Sequence, residues 1–298
     1  MKTFILKLAL LFVVLSIVDR LGGKALSYAD SLSSKKSGCA YIMDKLDYKI
    51  LIFGSSRAYR HYNPQIIGDA YHASCYNCGQ DNQGFIHNYA LLKAVAERYK
   101  PSLLIYDINP SLDFLVGDNY RSLRNLRPYK DRPVVAEIMR DIDPKESVKS
   151  YSELYCYNYV VNSILYRLLH LSKEKSRDGY VPLDQQNKHT FLGKKVLDIK
   201  REYCVDSLKL QYADKFAQLS KKTTDMLFVI SPRWYGMDTQ YVKMAKEFAA
   251  KYNVSLIDFS NNPKYVHNDE YFYDGTHLNE RGADEFTKDL MYEMRSMI

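Results

Sequence analysis

The chain has 298 residues, of which 46% are hydrophobic and 26% charged. That is too long for a disulfide-stapled miniprotein, too apolar for a disordered tail and too charged for a polytopic membrane protein. Lysine plus arginine exceed aspartate plus glutamate by 42 − 35 = +7, an excess too modest to demand a polyanionic partner. The densest basic stretch, Arg121, Arg124, Arg127, Lys130 and Arg132, reads as a solvated loop, and no nucleic-acid-binding signature accompanies it.

At the N-terminus, Lys2 and Lys7 precede an apolar run from Leu8 to Val18, closed by Asp19 and Arg20, which is the pattern of an export signal or anchor. A helix from Phe4 to Val18 rises only about 22 Å against roughly 30 Å of hydrocarbon, which favours a signal segment. The cleavage candidates, Gly23-Lys24-Ala25 and Ser27-Tyr28-Ala29, are weak, so residues 1–20 are read as an uncleaved membrane anchor. Either way the body is expected beyond the membrane. Lys36 spoils a lipoprotein box ending at Gly38-Cys39. Residues 21–45, with Ser31, Ser33, Ser34, Lys35, Lys36 and Ser37, read as a linker.

The body, 46–298, begins with an apolar run from Lys49 to Gly54, the pattern of a strand buried on both faces. Ser102–Ile108, Asp225–Ile230 and Val254–Phe259 repeat it, and the flanks of Cys75 and Cys78 suggest another strand, with these cysteines buried rather than bridged or metal-bound. Helical spacing marks Phe85 to Tyr99, Met237 to Phe248 and Asn279 to Ile298, the last with Ala283, Phe286, Leu290, Met294 and Met297 on one stripe. Strands alternating with helices predict a three-layer α/β/α sandwich with a parallel sheet. Residues 111–222, with helical patterns at Tyr151–Leu171 and Val196–Leu219, are read as a helical insertion that shapes a cleft.

Two local motifs carry chemistry. Gly54-Ser55-Ser56-Arg57 follows the first strand directly, so a serine projects from the strand's carboxyl end, where ligands bind in open α/β sheets. Asp274-Gly275-Thr276-His277 precedes the last helix; a serine nucleophile needs a base, and the base needs an acceptor to hold its tautomer. Each motif alone has an ordinary structural explanation, a tight turn or a helix cap. Arg57 either binds an anionic substrate or pairs with a carboxylate. His61, His72, His87, His170, His189 and His267 show no metal-ligand spacing, and no cofactor is called for.

Together the motifs resemble the SGNH, or GDSL-like, hydrolase superfamily. The resemblance covers residues 49–110 and 225–298 and implies a flavodoxin-like sheet, Ser56 as nucleophile, His277 as base and Asp274 as its partner. Its second block is matched by Tyr76-Asn77-Cys78-Gly79-Gln80-Asp81-Asn82, where Asn82 stands in place of a glycine that would donate to the oxyanion; its third survives as Asp107-Ile108-Asn109-Pro110. The implied oxyanion hole is therefore drawn from Ser56, Gly79, Asn82 and Asn109. An α/β-hydrolase is excluded by chain order, because its nucleophile elbow follows several strands. The exported branch of the superfamily implies an ester-linked acyl group on a cell-envelope glycan, hydrolysed or transferred, with a membrane partner as possible acyl donor. The altered blocks leave open a catalytically inactive binding or assembly protein.

Overall fold

In a computed structural model of the chain, residues 1–33, 38–169, 176–183 and 203–296 are described. Two compact units partition it, one formed by residues 1–35 and 122–173, the other by residues 36–121 and 174–298.

The second unit is built on a five-stranded, wholly parallel sheet in the order β2-β1-β3-β4-β5, comprising β1 (Ile50–Gly54), β2 (Cys75–Asn77), β3 (Leu103–Asp107), β4 (Asp225–Ile230) and β5 (Ser255–Asp258). Ile50 pairs with Leu103 and, on the other side, with Cys75. Because alternate residues of a strand face opposite ways, each apolar run feeds two cores. Ile50, Ile52, Ile105, Leu227 and Val229 pack with Tyr62, Ile67, Phe286 and Leu290. Tyr62 directly follows α3 (Ser56–His61), and the others come from α4 (Pro64–Tyr71) and α13 (Glu280–Ser296). On the opposite face the ring of Phe53 meets Phe216, and Tyr106 stacks on Phe85 with centroids 4.1 Å apart. These rings belong to α5 (Phe85–Ala96) and to α11 (Ser207–Thr223). Cys75 and Cys78 are buried, unbridged thiols, and burial pushes the Cys75 thiol up.

Three expectations need correction. The insertion does not run to residue 222: Ser207–Thr223 is the crossover helix between β3 and β4, with Phe216 fully buried in the sheet's core. The pattern at Val196–Leu219 is described only from Tyr203, and His170, His189, Met297 and the Ser34-Lys35-Lys36-Ser37 cluster lie outside the described residues. Nor is 21–45 a polar linker, since α1 runs unbroken from Lys2 to Ser33 and α2 occupies Gly38–Asp44.

The third correction concerns the anchor. Among the described residues no helix is long and apolar enough to cross a membrane. The apolar run of α1 is bounded by Lys7 on one side and by Asp19 and Arg20 on the other, and both of these serve packing within the first unit. Asp19 accepts from the Ser152 hydroxyl at 2.6 Å and from the Glu153 amide at 2.8 Å, while Arg20 pairs with Glu153 at 2.7 Å. Gly22 and Gly23 let the helices touch: a Cβ on Gly23 would stand 2.2 Å from that of Glu153 in α9 (Glu153–Tyr157). Cys156, Tyr157 and Ile164 close this unit's core against Leu26 and Ala29. Its basic residues are also engaged, Arg127 with Glu146 at 2.8 Å and Lys130 with Glu153 at 2.8 Å.

One short segment, 176–183, returns along the border of the sheet. Asp178 O accepts from the Asn77 amide at 2.9 Å, the Val181 amide donates to Tyr59 O at 3.3 Å, and Leu183 O accepts from the Glu280 amide at 2.8 Å.

Candidate active site

β1 ends at Gly54 with φ +141°, a conformation that side chains resist, and a Cβ there would lie 2.9 Å from Asp107 O. The chain turns at once into α3, whose first residue is Ser56. Its Oγ lies 2.9 Å from His277 Nε2, although 221 residues separate them.

The loop before α13 presents His277. Asp274 Oδ1 accepts from the amides of Thr276 at 2.7 Å and His277 at 2.8 Å, so the Asp-x-x-His spacing closes on itself as a turn. Asp274 Oδ2 stands 2.9 Å from His277 Nδ1. A carboxylate only accepts, so Nδ1 carries the proton and Nε2 presents its lone pair to Ser56. Partial burial raises the Asp274 carboxyl, but the His277 ring and the two amides outweigh it and hold the group below the usual range.

His61, at the far end of α3, fixes this loop from below. Its ring is fully buried, its Nε2 accepts from the Leu278 amide at 3.0 Å, and it meets the His277 ring edge-on with centroids 6.3 Å apart. Burial first, then the neighbouring His277 and Arg57, push its pKa well below the ordinary histidine value, so it stays neutral. A lone histidine carries no spacing signal, so nothing in the sequence marks His61 for this supporting role.

Arg57 does not face substrate. Its side chain is about 1% exposed and points into the core, with Nη2 donating to Ile108 O at 2.6 Å, Nη1 to Ser231 O at 3.2 Å, and Nε 3.5 Å from Asp107. Of the two roles open to it, the structure supports pairing with a carboxylate. Burial raises Asp107, opposed by Arg57, by the amide and hydroxyl of Ser231 at 2.9 and 3.1 Å, and by the Tyr62 hydroxyl at 3.1 Å. This buried pair joins the ends of β1, β3 and β4 beneath the nucleophile.

The four oxyanion candidates fare differently. Gly79 is removed from the set because its amide donates to Asn77 Oδ1 at 2.9 Å; the glycine is needed because a Cβ would stand 2.5 Å from the Tyr59 nitrogen. Asn77 in turn donates to Ala58 O at 2.7 Å and Tyr62 O at 3.0 Å, stapling this loop to α3. Asn82 adopts φ +61°, the left-handed region that asparagine tolerates, and its amide meets no acceptor among the described residues. Asn109 is set at the end of β3 by its own amide, which donates to Asp113 Oδ2 at 2.7 Å. Its Oδ1 accepts from Ser111 at 3.0 Å, which orients the side-chain NH2 outward from that bond. Burial pushes Asp113 up to about 7. Ser56, as the first residue of α3, has an amide with no partner inside the helix.

No protein-family model matches the chain, and no curated protein matches it. Among solved structures, it is similar to a protein described as lipolytic and of the G-D-S-L family from Desulfitobacterium hafniense, at 9% identity, 83% of this chain, 99% of that one and a TM-score of 0.38. Another is described as a platelet activating factor from Streptococcus pneumonia, at 14% identity, 93% and 98% coverage and a TM-score of 0.37. A third, from Bacteroides fragilis, is described as an acylhydrolase, at 8% identity, 89% and 94% coverage and a TM-score of 0.35. The functional reading rests on the site's own geometry.

Proposed function

We propose that this chain is an SGNH-type serine ester hydrolase or O-acyltransferase. The observation that carries the reading is the continuous line from Ser56 Oγ to His277 Nε2 at 2.9 Å and from His277 Nδ1 to Asp274 at 2.9 Å. In the first step His277 Nε2 takes the Ser56 proton as Oγ bonds to the ester carbonyl carbon, and the carbonyl electrons move to its oxygen. The Ser56 and Asn82 amides and the Asn109 side chain are the donors for that oxyanion. Collapse expels the alcohol, which takes the proton from Nε2. The acyl-enzyme is then resolved by water or by a second hydroxyl, deprotonated by the same imidazole.

Labelling with a fluorophosphonate probe, located by mass spectrometry, tests this directly. Ser56 should be modified, and Ser56→Ala and His277→Ala should abolish modification. An unlabelled Ser56 would leave a non-catalytic binding module as the better reading. A labelled protein that cleaves no free ester would point to a transferase dependent on an acyl-donor partner in the membrane.

The substrate proposed is an acylated glycan of the cell envelope, and the location proposed is extracytoplasmic. Both rest on the resemblance of the Gly54-Ser55-Ser56-Arg57 block to the exported branch and on the apolar run from Leu8 to Val18 acting as an export signal. An alkaline phosphatase fusion after Ser33 should be active if export occurs and inactive if it does not.

A further inference from the structure

The loop after β4 carries a guanidinium that the mechanism leaves unused. Ser231, at its start, is bonded to Arg57 and Asp107 beneath the nucleophile. Trp234 donates its amide to Gly275 O at 3.3 Å, and a Cβ on Gly275 would stand 2.8 Å from the Tyr235 ring. Arg233 lies between these two anchors, on the carboxyl-end rim of the sheet, between the neighbour of Ser56 and the loop that presents His277. That rim is where open α/β sheets receive ligands.

Arg233 differs from the other sheltered arginines. Arg57, Arg60 and Arg127 stand 3.5, 3.5 and 2.8 Å from a carboxylate. Arg233 has no carboxylate partner among the described residues; its Nε, like Arg57 Nε and Arg127 Nη1, is buried without a hydrogen-bond acceptor, but those two arginines have a carboxylate beside them. Asp107, which balances Arg57, is already saturated by Arg57, Ser231 and Tyr62. Burial, and then the like charge of Arg57, pull the Arg233 pKa down to about 10. Arg233 is half-buried with its Nε shielded from water, and a partly desolvated cation without a carboxylate partner is costly to hold, so a ligand that brings the missing charge recovers part of that cost. The planar fork of a guanidinium matches the two oxygens of a carboxylate or phosphate.

We propose that Arg233 binds an anionic group, a carboxylate or a phosphate, on the substrate whose ester bond Ser56 attacks, so that the enzyme selects acidic esters. The selection, though not the anion site itself, rests on Ser56 being the nucleophile. The bond from Arg233 to the anion turns the ester toward Ser56, an orientation that a neutral ester gains from no such contact.

Full-length wild type, Arg233→Gln and Arg233→Lys are compared on 4-acetoxybenzoate, 4-acetoxyphenyl phosphate and methyl 4-acetoxybenzoate. The two acids separate a carboxylate preference from a phosphate preference, and the methyl ester is the neutral reference. The ratio of kcat/KM for an acid over the neutral ester should fall at least tenfold in Arg233→Gln and be partly kept in Arg233→Lys. A ratio is independent of the folded fraction of a sample. A ratio in Arg233→Gln within twofold of wild type overturns the proposal. A second arm needs no turnover: inorganic phosphate should raise the Tm of Ser56→Ala and fail to do so when Arg233→Gln is added. Equal shifts in both proteins overturn the anion site. A Ser56 that resists the fluorophosphonate probe, with a phosphate shift that depends on Arg233, refutes the nucleophile and keeps the anion site.

Discussion

Replacing His61 tests whether the base loop is held from α3. In the native protein its Nε2 accepts the Leu278 amide at 3.0 Å, and both groups are buried. Its folded pKa lies well below the ordinary value through burial, His277 and Arg57, whereas the unfolded chain protonates near pH 6.5. Below about 6.5 the unfolded state therefore binds a proton that the native state refuses. Stability is fully present above that pH and falls as pH drops, at about 1.4 kcal/mol per unit. In His61→Gln the side-chain carbonyl can still accept from Leu278, but this titration is gone. Urea unfolding at pH 7.5 and 5.5 should show the variant gaining about 1.4 kcal/mol on wild type between the two. His61→Leu leaves the buried amide without an acceptor and should lose about 1–3 kcal/mol at both pH values, with kcat reduced more than KM is raised. A stability difference between wild type and His61→Gln that stays flat from pH 7.5 to 5.5 would refute the reasoning.

Three further outcomes are expected. Asp274→Asn should lower kcat by about 10³–10⁴-fold with KM little changed, because the wrong imidazole tautomer then faces Ser56; a steady-state assay on a simple acetyl ester reads this. Arg57→Leu strands Asp107 in the core and should cost about 3–5 kcal/mol in denaturant unfolding, whereas Arg57→Leu with Asp107→Leu should recover part of the loss. Gly23→Leu should pry α1 from α9 at a cost of about 1–3 kcal/mol, seen as faster amide exchange from Asp19 to Ser31.

The sheet was legible because its longer strands are short apolar runs closed by glycine, proline, serine or asparagine, and β1, buried along its whole length, leaves little else for such a run to be; β5, with Ser255 and Asp258 exposed, shows the pattern only in part. β2 was harder, since Cys75–Asn77 is only 3 residues long. Ser56, Asp274 and His277 were legible because each sits in a motif a few residues long at a strand or helix end. What supports them was not. Asp107 meets Ser231 across 124 positions and His61 meets Leu278 across 217, and no local spacing records either contact. Arg57 shows the limit clearly: sequence left two roles open, and only its burial beside Asp107 separates them. Asp19 and Arg20 show the same limit: in sequence they are the charges that close an apolar run, and only the fold sets Ser152 and Glu153 beside them.

The returning segment 176–183 has a mechanical implication. By occupying the amide of Asn77 it claims one free border of the sheet, so a strand from another molecule meets an obstacle there before it can add. Two more of its backbone ties are to Tyr59, three positions beyond Ser56, and to Glu280, three positions beyond His277. One ribbon thereby fastens the helix that opens with the nucleophile and the helix that follows the base to the same rim.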